Sequence, residues 1–316
     1  MFNYYLSPFY FYLFFPFSLL LAISSTLWQP CQGNPIPEKP MVIVIPSYNN
    51  IQWYEANLTS IFTQKYTNYR CIYINDQSTD GTGEAVRNYL DQRNIDYQEI
   101  FFDDRLIENL VEKNEKLIQL IKEVKCPFIL VHNLHRCSAL ANLYRAIYSC
   151  QNDEIIVTVD GDDWLYGDQV LKELNEIYSL RDIWFTHGRL IEYPSGIASW
   201  CEPVPPEIIQ DNEFRKFKCP SHLRTFYTWL FKKIKLEDFL YKGNFFTMAW
   251  DMAIMYPIAE MAGFHQAFIS QVNYVYNMAN QINDNKVDPQ LQRDLDQFIR
   301  NQPPYMPLEK ADFEDR

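Results

Sequence analysis

The sequence predicts an α/β fold with a mostly parallel central sheet flanked by helices. Four short, apolar, β-branched runs alternate with segments of helical apolar spacing: Met41–Ile45, Cys71–Ile74, Phe128–Val131 and Glu154–Val159. These runs are continuous rather than alternating, as expected of strands buried on both faces. Two of them end in polar turns that carry carboxylates, one with Asn75 and Asp76, the other with Asp160, Asp162 and Asp163. Ligands of open parallel sheets sit at the carboxyl ends of strands.

Each element follows in order. Met41–Ile45 is the first strand, ended by Pro46. A short helix is expected over Asn57–Gln64. The triplet Asn57-Leu58-Thr59 is a formal glycosylation acceptor, incidental if it lies in that helix. Cys71–Ile74 is the second strand, and Asp80 and Gly81 set the start of the next helix. Ala85, Val86, Tyr89 and Leu90 outline that helix, and Glu99–Phe102 is a third, weaker strand. Leu106 to Val124 trace one long amphipathic helix or a pair. Phe128–Val131 is a further strand, and the next helix carries Leu140, Leu143 and Ile147 on one face. Glu154–Val159 reads as the most buried strand, with a helix over Val170–Tyr178 next. After residue 181 the alternation fails, and residues 184–250 read as a layer covering the ligand edge of the sheet. Trp250–Ala262 reads as a helix and Asn273–Tyr276 as a short strand. Residues 286–316 read as a polar helix and an acidic tail.

The chain has 316 residues and a formal net charge of −12, from 28 Lys and Arg against 40 Asp and Glu. That balance argues against a nucleic-acid partner, which needs a basic footprint. Hydrophobic residues at 47% exclude a disordered chain. Seven cysteines with no Cys-x-x-Cys pair give neither a disulfide framework nor a zinc site. Residues 1–29 form an apolar segment whose run Phe9–Leu27 is long enough to span a bilayer. It reads as a membrane anchor, and so predicts membrane association, or as a signal peptide of an exported protein. No basic residue precedes Lys39, so no orientation follows. Residues 30–40, with four prolines, read as a stiff linker.

A strand ending in three carboxylates suits a hard divalent cation, which prefers oxygen ligands and often bridges to phosphates. Alone, Asp160-Gly-Asp-Asp163 reads equally well as a solvated turn with a helix N-terminus at Asp163. Three further blocks stand before it. They are Val44-Ile-Pro-Ser-Tyr-Asn49, Tyr73-Ile-Asn-Asp-Gln-Ser-Thr-Asp-Gly-Thr82 and His132-Asn-Leu-His-Arg-Cys-Ser-Ala-Leu-Ala-Asn142. This order resembles the family 2 glycosyltransferases, inverting enzymes of the GT-A fold, over roughly residues 40–285. An insertion around residues 103–126 separates the blocks more widely than is usual in that family.

The resemblance implies a single GT-A domain over residues 41–285, with a nucleotide-binding half (41–180), an acceptor half (181–285) and a polar tail (286–316). It implies a nucleotide-diphosphate sugar donor, a divalent metal (Mn²⁺ or Mg²⁺) and a glycan, lipid-linked or protein acceptor. Pro46, Tyr48 and Asn49 match the first donor-site turn. Asn75 and Asp76 match the acidic pair that hydrogen-bonds base and ribose; the family often has two Asp there, so Asp76 carries the expectation. Arg136 falls in the loop that faces the sugar diphosphate, as a phosphate partner or a plain surface Arg. Asp160 matches the carboxylate near the ribose, and Asp162 the metal ligand, with Asp160 beside it. Asp163 assists through water or caps a helix.

Trp250-Asp251 stands where the family often has Glu-Asp at the start of its acceptor-site helix. Asp251 is then the general base, which inversion requires. A plain N-cap is its alternative, and Glu260 is the fallback base. Trp250 stacks on a sugar or belongs to the core. A late Asn-Asp-His-Lys of some relatives appears here as Asn283-Asp284-Asn285-Lys286, without the His. His187 and His222 are the alternatives for a third metal ligand, each equally readable as structural. Two rival functions are a catalytically degenerate nucleotide-sugar binding module and an aspartyl-phosphate hydrolase, which Asp163-Trp164 fits badly.

Overall fold

The chain enters the sheet at Met41, and β1 (Met41–Ser47) is buried along its whole length. The structure, a computed structural model, describes residues 36–313 apart from 106, 200 and 283 and the side chains of 284 and 285. The apolar segment 1–29, Cys31 and the start of the proline-rich linker lie outside the described residues, as do the side chains of Asn283, Asp284 and Asn285. Among the described residues, no helix is long and apolar enough to cross a membrane, and six cysteines are free.

The elements that follow are α1 (Tyr54–Phe62), β2 (Tyr69–Asp76), α2 (Thr82–Gln92), β3 (Tyr97–Phe102) and α3 (Leu110–Glu123). Next come β4 (Phe128–Asn133), α4 (Ala139–Tyr148), β5 (Ile155–Thr158), β6 (Trp164–Leu165), α5 (Val170–Leu180) and β7 (Phe185–Tyr193). The chain continues through α6 (Pro206–Gln210), β8 (Arg224–Tyr227), α7 (Thr228–Phe231), β9 (Leu240–Tyr241), β10 (Asn244–Phe245) and α8 (Trp250–Ala262). It closes with β11 (Gln266–Asn277), α9 (Asp284–Val287) and α10 (Pro289–Arg300).

One nine-stranded sheet runs β3-β4-β2-β1-β5-β8-β7-β11-β6. Its first five strands are parallel. β8 then enters antiparallel, β7 and β11 run parallel to each other, and the two residues of β6 close the edge. The parallel α/β fold expected from the apolar runs is therefore present.

Several expectations need correction. Pro46 does not end β1, which pairs with β2 as far as Ser47 and Asn75. Pairing with β5 reaches only Val44 and Thr158, and the Pro46 carbonyl accepts from Gly161 N at 3.0 Å. The missing N–H of Pro46 thus faces the β5 side, where the regular pairing stops, and leaves the β2 ladder intact. Of the helix or pair expected between Leu106 and Val124, the described residues form one helix, α3 (Leu110–Glu123). It starts after Asn109, whose side chain accepts from Val111 N at 2.8 Å. Residues 184–250 do not simply cover the sheet edge, because β7 and β8 join the sheet. β11 begins seven residues earlier than expected (Gln266 rather than Asn273). A register shift between Ile269 and Val272 leaves Ser270 and Gln271 exposed and breaks the apolar pattern there.

Candidate active site

The carboxyl ends of the parallel strands open on a cleft. Two adjoining cavities, of about 270 and 650 Å³, share Pro46, Tyr48, Arg136, Ala139, Trp250 and Ile282. The smaller also exposes Asp160, Asp162, His222, Arg224 and Asp251, and the larger reaches Asp76.

The acidic turn is held from below. A Cβ on Gly161 would lie 2.6 Å from Ser47 Cβ, so only glycine lets the turn close over the end of β1. The fully buried Asn57 donates to the carbonyls of Asp160 (3.0 Å) and Asp163 (2.7 Å). The nitrogen a glycan would occupy is therefore a strut inside α1.

The three carboxylates of the turn have different surroundings. Asp163 is 1% exposed and accepts from Tyr274 Oη (2.8 Å) and Asn277 N (2.7 Å). No helix follows it: β6 does, so the expected helix cap is absent and Asp163 instead fastens the end of β11. Burial, then the neighbouring Asp162 and Asp160, push its carboxyl well above the usual range. Asp162 accepts from Asn280 Nδ2 at 2.7 Å, and burial raises it too. Asp160 lies with its carboxylate 4.0 Å from His222 Nε2, and its backbone N donates to Tyr274 Oη at 3.1 Å.

Asp160, Asp163 and His222 each offer one ligand atom, all within 4.8 Å of one another. The His222 ring stacks on Tyr274, and its buried Nδ1 has no hydrogen-bond partner among the described residues. Burial and then the Arg224 charge hold its ionisation well below the ordinary histidine value. A neutral imidazole beside carboxylates is the form a metal ligand takes, so these residues fit a divalent cation. The pair expected from sequence was Asp160 with Asp162. The structure gathers Asp160 with Asp163 and His222, and leaves Asp162 on the cleft wall against Asn280.

Asp76 lines the larger cavity and accepts from Asn133 Nδ2 (2.8 Å), Cys137 N (2.9 Å) and Ser138 N (3.0 Å). It thereby fixes the loop bearing Arg136, whose guanidinium lies 3.7 Å over the Tyr48 ring. Two expected residues line neither cavity. Asn49 accepts from Thr79 N at 2.8 Å and braces the turn after β2. Asn75 is buried against His132, 3.2 Å from its Nδ1.

Across the cleft, the N-cap of α8 is Ala249, in the left-handed region at φ 52°. Asp251 is therefore not a cap. It sits in the first turn of α8 and accepts from Arg224 Nη2 at 2.7 Å. Trp250 is half-buried and lines both cavities. Glu260 is not available as a base. It is fully buried, pairs with Arg215 through both oxygens (2.5 and 3.0 Å) and accepts from Tyr305 N at 2.9 Å. His187 lies outside the cleft, packed near Phe185 and Phe268. Arg224, Asn57, Tyr274, Asn277 and Asn280 complete the site, and none was assigned a role from sequence. The available signal was polar side chains at the end of an apolar strand, after Tyr274-Val-Tyr276.

A family model described as Glycosyl transferase family 2 matches residues 42–131, the stretch from β1 into β4. A search of curated proteins by sequence finds no match. Among solved structures, the chain is similar to S. aureus TarS at 15% identity and TM-score 0.51, over 82% of this chain and 39% of that one. It is likewise similar to S. aureus TarS 1-349 in complex with UDP-GlcNAc, at 13% identity and TM-score 0.50, over 82% of this chain and 65% of that one. This chain thus spans less than two thirds of their length, and the likeness is one of fold. The family match covers residues 42–131, and beyond that stretch the likeness to solved structures is one of fold.

Proposed function

We propose that the protein transfers a sugar from a nucleoside-diphosphate donor to an acceptor hydroxyl, with inversion. One observation carries this reading: the acidic turn, neutral His222 and Asp251 line one strand-end cavity of about 270 Å³. The TarS structure with UDP-GlcNAc supports a nucleotide sugar as the donor class.

Tyr48 and Arg136 form the donor wall, with Arg136 as the phosphate partner and Asp76 holding its loop in place. Mn²⁺ or Mg²⁺, held by Asp160 with Asp163 and His222 or with Asp162, would offset charge on the departing diphosphate. Asp251 removes the acceptor proton as the hydroxyl attacks. Arg224 engages Oδ2 of Asp251, so Oδ1 is the oxygen that takes the proton. Residues 9–27 act as the membrane-associating segment, retained as an anchor or removed as a signal, with a glycan, lipid-linked or protein acceptor nearby.

Nucleotide release from UDP-, GDP-, CDP- and dTDP-sugars, with Mn²⁺ or EDTA and a mixed acceptor pool, tests the reading. Release from one donor class that stops in EDTA is expected. No release and no binding of any donor overturns it.

A further inference from the structure

We infer that the acceptor carries an anionic group, a phosphate or a carboxylate, close to the hydroxyl that receives the sugar. The inference rests on the transferase reading above and extends it to the acceptor's charge class.

A third cavity, of about 530 Å³, meets the cleft at Arg224, Ala249, Asp251 and Gln292. Its charged lining is Lys218, Arg224, Arg293 and Arg300 against Asp251 and Asp296. Four cations facing two carboxylates stand out in a chain whose net charge is −12. The pairings inside the cavity leave an excess of positive charge. Arg224 is matched by Asp251, and Arg300 by Asp296. Arg300 also spends Nη1 on the carbonyls of Arg215 and Phe217. Lys218 reaches out of the cavity to Glu202 at 3.1 Å, with both side chains half exposed. The Lys218 charge still adds to the positive field of the cavity. Arg293 is exposed, donates to the uncharged Gln290 Oε1 at 2.8 Å, and has no ion pair among the described residues.

Asp251 lines both this cavity and the acidic one. A base belongs where acceptor and donor meet, so the donor occupies the carboxylate-lined side and the acceptor the cation-lined side. An anion on the acceptor would be repelled from the turn at Asp160 and drawn toward Lys218 and Arg293. It would thereby bring its hydroxyl to Asp251 in one orientation.

The test is calorimetric titration of the full chain, saturated with its nucleotide and metal, using glucose, glucose 6-phosphate and glucuronate as probes. The two anions are expected to bind at least tenfold more tightly than glucose. Arg293→Glu and Lys218→Glu should each weaken the anions about tenfold, and Arg293→Lys should restore most of it. Nucleotide affinity, which reads the other side of Asp251, should stay unchanged. A stronger glucose 6-phosphate assigns phosphate, and a stronger glucuronate assigns carboxylate. Equal or absent binding of the three sugars, with nucleotide binding intact, overturns the inference. Loss of nucleotide binding in the unmodified protein would instead overturn the transferase reading beneath it.

Discussion

At the scale of residues, the proposed chemistry turns on Asp251 and on the unequal carboxylates of the acidic turn. Asp251→Asn keeps the shape and a hydrogen bond to Arg224 but loses the base. Transfer should fall by about 10²–10⁴-fold, with nucleotide binding and melting temperature nearly unchanged, as read by steady-state rates and thermal unfolding. Asp163→Ala should, unlike Asp251→Asn, cost stability. It strands the Tyr274 hydroxyl and the Asn277 N–H, and urea unfolding should show a loss of about 2–5 kcal/mol. The Asp-Gly-Asp-Asp block was legible in the sequence as a cluster at a strand end. Its division of labour was not, because the partners of Asp162 and Asp163 lie 111 to 118 residues downstream. Asn57 was legible as a helix residue and not a glycan site, but its role as a strut was not, because that role is set by carbonyls more than 100 residues away.

At the scale of elements, β7 and α8 offer two tests of stability away from the chemistry. His187 on β7 is buried, and burial lowers its ionisation from the ordinary 6.5 to about 4. As pH falls, the unfolded chain takes the proton first. This contribution is therefore complete above about pH 6.5 and is lost on acidification toward pH 4. His187→Gln should flatten the fall of melting temperature between those two values. On α8, Glu260→Ala should cost about 3–5 kcal/mol, because it leaves the Arg215 guanidinium without its partner. The protein that still folds should transfer at the normal rate per molecule. α8 was legible from end to end because an apolar run stops at Gly263. β11 was half hidden by its bulge, and β8 by its four-residue length.

At the scale of the whole molecule, two opposed charge environments meet at one carboxylate. Residues 41–180 were readable because their strands follow one another as local β-α units, and the family match falls within that stretch, at residues 42–131. Residues 181–285 were not, since β8, β7 and β11 are placed by pairings that no local pattern reports. The central claim is that the strand-end cleft holds a nucleotide through Asp160 and its neighbours. The most direct test is thermal unfolding of the full chain with UDP, GDP, CDP or dTDP, each with Mn²⁺, Mg²⁺ or EDTA. One nucleotide should raise the melting temperature only when a divalent cation is present, by an amount equivalent to about 2.7 kcal/mol at a hundredfold excess over Kd. Asp160→Asn should abolish that rise. A melting temperature that no nucleotide moves, or one raised equally in EDTA and in Asp160→Asn, would contradict the account.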